Sequence, residues 1–173
     1  MNYKPSFDPP AEGDLVFAHT NGLMGRAIRL GEVIRWKRGS LWNHVAIIDR
    51  IEGDEVYVIQ AEPRGVTDNK KLDEVAPSGR LVLIEPPLGV DKLQILEFAR
   101  QQVGQHYGFV SILAVIADIL TPDWFPLLRR RNSWICSALA GEALRAGGWI
   151  HKWADIYTVT PAQLWQALVK PND

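Results

Sequence analysis

The sequence predicts an α+β domain with an antiparallel sheet packed against helices, and three observations carry that expectation. Two β-rich runs, residues 44–51 and 55–62, are separated by the turn-forming Glu52-Gly53-Asp54. Helical periodicity with capping residues dominates the second half of the chain. The length of 173 residues, 47% hydrophobic content and formal net charge of -1 fit one domain with a substantial core.

Residues 1–12 are rich in proline and polar groups and read as an extended lead-in, so the single domain is expected to span 13–173. Asp14-Leu-Val-Phe-Ala-His begins it as a short strand. In residues 22–36, Leu23, Ala27, Leu30 and Ile34 recur at helical spacing, which predicts a helix interrupted by Gly25 and Gly31. Residues 44–51 and 55–62 then form an antiparallel pair. A three-residue loop sets Ile51 opposite Glu55 and, stepping back along both strands, His44 opposite Glu62. A two-residue loop sends those side chains to opposite faces, because strand side chains alternate.

Residues 80–85 read as a third strand of the meander, ended by Pro86-Pro87. Asp91 and Gln94 have the spacing of a capping box, and a helix follows to about Val103 with Leu93, Leu96, Ala99 and Val103 as its buried stripe and Gly104 as its stop. Residues 108–120 are strongly apolar, and Thr121-Pro-Asp-Trp-Phe-Pro breaks regular structure after them. Asn132 or Ser133 is placed to cap the next helix, with Cys136 in or near its first turn and its end near Gly147-Gly148. Thr160-Pro161-Ala-Gln163 joins a threonine cap, a proline at the first helical position and a glutamine three residues on, so a last helix covers 161–169.

Cys136 is the chain's single cysteine. It therefore forms no internal disulfide, and its predicted place at a helix start puts an electropositive helix end beside the thiol. A helix dipole stabilises a charge by up to ~2 kcal/mol, and ~1.4 kcal/mol is one pKa unit, so a dominant thiolate at neutral pH also needs a cation beside it. His44 is the candidate, with Glu62 as the acid that orients its ring. Taken singly, each has a plainer reading: a small buried hydrophobe, a strand-end histidine, a surface acid. Together they have the pattern of a nucleophile, a base and an orienting group, which points to a cysteine hydrolase or acyl transferase.

The same segments resemble the permuted papain-like enzymes of the NlpC/P60 superfamily, especially the YiiX-like and YaeF-like bacterial proteins. The resemblance runs through Gly13-Asp14-Leu-Val-Phe, Asn43-His44-Val-Ala-Ile-Ile, Gln60-Ala-Glu62-Pro-Arg-Gly-Val, Gly104-Gln-His-Tyr107-Gly-Phe, Trp134-Ile-Cys136-Ser-Ala-Leu and Thr158-Val-Thr-Pro-Ala-Gln-Leu. The histidine strand precedes the cysteine helix, as in the permuted group. The resemblance implies a circularly permuted papain-like fold, Cys136 as nucleophile, His44 as general base, Glu62 as orienting acid and Tyr107 near the substrate or oxyanion. It also implies a cysteine amidohydrolase or peptidase, with peptidoglycan peptides as the favoured substrate and a bacterial or bacteriophage source. The apolar segment 108–126 departs from the pattern and reads as a lid.

Two other functions are weighed against this one. A lipid-ester hydrolase or acyltransferase would use the apolar insertion to cover an acyl chain, and a binding or assembly module would keep the fold without turnover. Partners are expected to be peptide or acyl substrates, including cell-wall fragments or lipids. Nucleic acid is not expected, because the chain lacks the cationic surplus that phosphate binding needs. No cofactor is expected, and no metal, since His19, His106 and His151 lack the spacing of a ligand set. The start of the chain lacks a secretory pattern and residues 108–120 are too short for a membrane span, so a cytoplasmic location is the default expectation.

Overall fold

The computed structural model describes residues 9–20, 41–77, 80–106, 135–151, 153 and 156–169. Among them the chain is α+β. Five strands, β1 (Leu15–Ala18), β2 (His44–Glu52), β3 (Glu55–Glu62), β4 (Gly65–Lys71) and β5 (Leu81–Ile84), form one antiparallel sheet in the order β4-β3-β2-β1-β5. Four helices accompany it: the short α1 (Leu72–Val75), α2 (Lys92–Gln101), α3 (Cys136–Ala146) and α4 (Pro161–Val169). The predicted helix over 22–36 and the apolar segment 108–126 lie outside the described residues.

β2 sits at the centre of the sheet, and its sequence is correspondingly apolar on both sides. Val45 and Ile47 join the core shared with Leu15, Phe17, Ile95, Leu139 and Leu144, whereas Ala46 and Ile48 pack with Val16, Ala18, Val58 and Val75 in a second cluster. The alternation follows from the two-residue period of a strand. The larger core lies between the sheet and α2, α3 and α4. α3 packs on α2, β2, β3 and α4. Its Gly147 cap leaves no room for a side chain, since a β-carbon there would lie 2.8 Å from the Asp91 carbonyl oxygen.

Several elements differ from their sequence-based expectation. The β2–β3 loop is only Gly53-Asp54, with Glu52 opposite Glu55, which by itself would move His44 and Glu62 to opposite faces. A register shift between Ile48 and Arg50 reverses that effect, giving Ile48 opposite Val58 and Ile47 opposite Ile59. The buried Asp49 at the shift accepts a hydrogen bond from Arg100 Nε of α2 at 2.7 Å and one from Arg50 at 2.9 Å. Arg50 also donates to the Asp68 carbonyl at 3.0 Å, tying the bulge to β4.

The third strand of the meander is β4, not residues 80–85; those residues form β5, which pairs with β1 at the other edge. β4 escapes a hydropathy reading because Gly65-Val-Thr-Asp-Asn-Lys-Lys is polar, as an edge strand can be. Asp91 caps α2 by accepting from Leu93 N–H at 2.8 Å and Gln94 N–H at 3.4 Å. Its own N–H donates to the Gly147 carbonyl at 2.8 Å, not to the side chain of Gln94 as a full capping box would have it. The buried face of α2 is Ile95, Leu96 and Ala99, and Leu93 is exposed. At α4 both bonds of the box form, Thr160 N–H to Gln163 Oε1 at 2.9 Å and Gln163 N–H to Thr160 Oγ1 at 3.3 Å.

Candidate active site

α3 begins at Cys136, preceded by Ile135 in extended conformation, so the cap position is Ile135 and no side chain closes it. Asn132 and Ser133 lie outside the described residues. The first backbone N–H groups of a helix have no intrahelical acceptor, which leaves the partial positive end of α3 at the thiol. The next residue holds that end in place: the buried Ser137 hydroxyl donates to the Val159 carbonyl.

His44 arrives from the sheet. It is the first residue of β2, opposite Ala18 of β1. Asn43, buried just before it, fixes the neck where β1 and β2 meet: its amide donates to the Thr20 carbonyl at 2.8 Å, and its oxygen accepts from Thr20 N–H at 2.8 Å and Thr20 Oγ1 at 3.1 Å. His19 extends the same seam, its Nδ1 lying 2.9 Å from the Leu41 carbonyl. Trp165 of α4 covers it by packing on Phe17 at 5.3 Å and Trp42 at 5.5 Å between ring centroids.

The thiol and the imidazole meet. Burial pushes the Cys136 thiol up, but the His44 imidazolium, its hydrogen bond, and backbone N–H groups of Val45 and Ser137 outweigh this, and its pKa lies below the ordinary thiol value. Burial pulls His44 down, yet Cys136, Gln60 and Glu62 together hold it above the ordinary imidazole value. Opposite shifts in two hydrogen-bonded groups favour the thiolate–imidazolium pair, and the two titrate as a unit.

The ring's other partner is Gln60. His44 Nε2 lies 2.7 Å from Gln60 Oε1, which leaves Nδ1 as the nitrogen for the sulfur. Gln60 is buried at 5% exposure. Glu62, half-buried at the end of β3, does not touch the ring; its Oε2 is 3.5 Å from Gln60 Nε2 and its Oε1 is 3.5 Å from Thr67 Oγ1. Of the three residues read from the sequence, Cys136 and His44 are thus in direct contact and Glu62 stands behind an amide. Gln60 was missed, although the strand period already places it on the same face as Glu62.

Tyr107 lies outside the described residues. Just before it, Gly104 and Gln105 pair with the start of β4, where Val66 N–H donates to the Gln105 carbonyl at 3.0 Å and Gly104 N–H donates to the Val66 carbonyl at 2.9 Å. His106 is exposed there, and His151 packs between Trp149 and Trp153 at 5.5 and 4.8 Å. Among the described residues no group of three or more His, Cys, Asp or Glu side chains could hold a metal, and no helix is long and apolar enough to cross a membrane. No family model matches the chain, and a search of curated proteins returns no match.

Proposed function

We propose that the chain is a cysteine hydrolase of the permuted papain-like kind, acting on an amide or related acyl bond. The observation that carries this reading is the hydrogen-bonded contact between Cys136 at the first turn of α3 and His44 at the start of β2, with the far ring nitrogen held by Gln60. A cysteine packed only as a small hydrophobe has no use for an imidazole on its sulfur. The order of elements, with the histidine strand ahead of the cysteine helix, agrees with the resemblance to the permuted NlpC/P60 group.

The chemistry follows from the contacts. The Cys136 thiolate attacks the acyl carbon, and the carbonyl oxygen becomes an oxyanion, for which the Cys136 backbone N–H at the helix end is the candidate donor. As the intermediate collapses, His44 Nδ1–H gives its proton to the departing nitrogen or oxygen and a thioester remains. Neutral His44 next takes a proton from water, the hydroxide attacks the thioester, and the acid leaves as the thiolate and imidazolium return.

Peptide fragments of the bacterial cell wall are the substrate class to test first, on the strength of the resemblance. Mass spectrometry after incubation with such fragments should find an acyl adduct on Cys136, and Cys136→Ala should abolish release of product while keeping the fold. Full turnover by Cys136→Ala would end the proposal.

A further inference from the structure

We infer that Glu62 acts on His44 through Gln60, by fixing which way round the Gln60 amide stands. The inference rests on the functional reading above and adds a part to the same site. It comes from the linear order His44 Nε2, Gln60 Oε1 at 2.7 Å, Gln60 Nε2, Glu62 Oε2 at 3.5 Å.

An amide can present either its oxygen or its NH2 to a neighbour, and the two choices have opposite consequences for a histidine. With the oxygen facing the ring, Nε2 must carry a proton to donate, and in neutral His44 the lone pair then lies on Nδ1, toward the sulfur. With the NH2 facing the ring, Nε2 must accept, the proton moves to Nδ1, and the ring can no longer take a proton from the thiol. A carboxylate only accepts hydrogen bonds, so Glu62 selects the NH2 for itself and turns the oxygen toward His44. Thr67 Oγ1, 3.5 Å from the other carboxylate oxygen, donates to Glu62 and holds that acceptor in place. Burial of Gln60 restricts competition from water for its amide. Among the described residues the charged or titratable groups acting on His44 are Cys136 from α3 and Glu62 from β3.

The design separates a directing carboxylate from a contacting one. A carboxylate in direct contact would hold the imidazolium more tightly and make it a poorer proton donor to the leaving group; an amide orients the ring while leaving the charge to the thiolate.

Two measurements that need no substrate test this. Nitrogen-15 NMR on the Cys136→Ala background reads the tautomer of neutral His44, and iodoacetamide alkylation against pH in proteins that retain Cys136 reads the ion pair. The Nε2–H form should dominate in Cys136→Ala, and adding Glu62→Gln, which can donate as well as accept, should populate the Nδ1–H form. Gln60→Met, which keeps volume without the bond, should move the alkylation midpoint up by about one to two pH units, and Gln60→Asn or Gln60→Glu should restore part of it. Should Gln60→Met fail to fold, Glu62→Gln, at a half-buried position, still decides the matter. An unchanged tautomer in the Glu62→Gln protein, or an unchanged midpoint in Gln60→Met, overturns the inference. An ordinary thiol midpoint in the unaltered protein instead overturns the hydrolase reading, so the two failures are distinguishable.

Discussion

Cys136 is buried at 5% exposure, yet its pKa lies below the ordinary thiol value, because His44 and the backbone N–H groups of Val45 and Ser137 together outweigh the cost of taking charge out of water. The sign of the pH dependence follows from the two shifts. Deprotonation of Cys136 begins below the usual thiol range, so alkylation by iodoacetamide should start at lower pH than for a free thiol. His44 stays protonated above the usual imidazole range, so leaving-group protonation should persist there and then fail. Hydrolysis should therefore trace a bell whose acid limb belongs to the thiol side of the pair and whose alkaline limb belongs to the imidazole side, while alkylation should persist across the alkaline limb. His44→Ala should return the alkylation midpoint to the ordinary thiol range and lower turnover by a factor of at least about 100, the scale of general acid–base catalysis, with Glu62→Gln milder. Gly65 opens β4 close against Gln105. Its φ is +124°, and a β-carbon there would lie 2.7 Å from the Gln105 carbonyl oxygen. Gly65→Ala should cost about 1–3 kcal/mol, measured by denaturant unfolding.

Among the elements, the β2–β3 hairpin shows how two local features combine into one site. The two-residue loop and the bulge at Asp49 each change the register, and only together do they bring Ile47 opposite Ile59. Continued along both strands, that alignment brings the His44 end of β2 to the Glu62 end of β3. The bulge is held by Arg100 from α2, which donates to both the Asp49 carboxylate and, at 3.0 Å, the Asp49 carbonyl. Arg100 is about half exposed, so the loss of this contact is softened by hydration of the freed guanidinium. Asp49→Ala should cost about 1–3 kcal/mol in thermal or denaturant unfolding and also raise the alkylation midpoint of Cys136, which lies on a different element. A stability loss with an unchanged midpoint would separate the bulge from the site. Capping was the most legible element-level feature: Asp91 and the Thr160–Gln163 pair stand where their spacing places them. The start of α3 was less so, since its cap position is Ile135, a residue whose side chain carries no cap signal.

For the molecule as a whole, the site is built from parts distant in sequence, with His44 and Gln60 on the sheet and Cys136 on a helix that the core presses against it. β2 is the shared support, buried through both faces. Ile47 has no exposed surface, and Ile47→Ala should cost about 2–5 kcal/mol, lowering the melting temperature by roughly 4–20 °C for a domain of this size. Calorimetry or circular dichroism would check it. Because the same core seats α3, the loss should appear as one cooperative transition that also exposes the thiol.

The α+β class, the last helix with its cap, the cysteine at a helix start and the histidine at a strand start can all be read along the chain, since these depend on short-range periodicity and on residue types with strong local preferences. Which strand lies third in the sheet, how the hairpin register resolves and which side chain reaches the far nitrogen of His44 depend on contacts between elements distant in the chain. Strand pairing is set by non-local hydrogen bonds and by ion pairs from other elements, such as Arg100 on Asp49, and no window along β2 or β3 contains them.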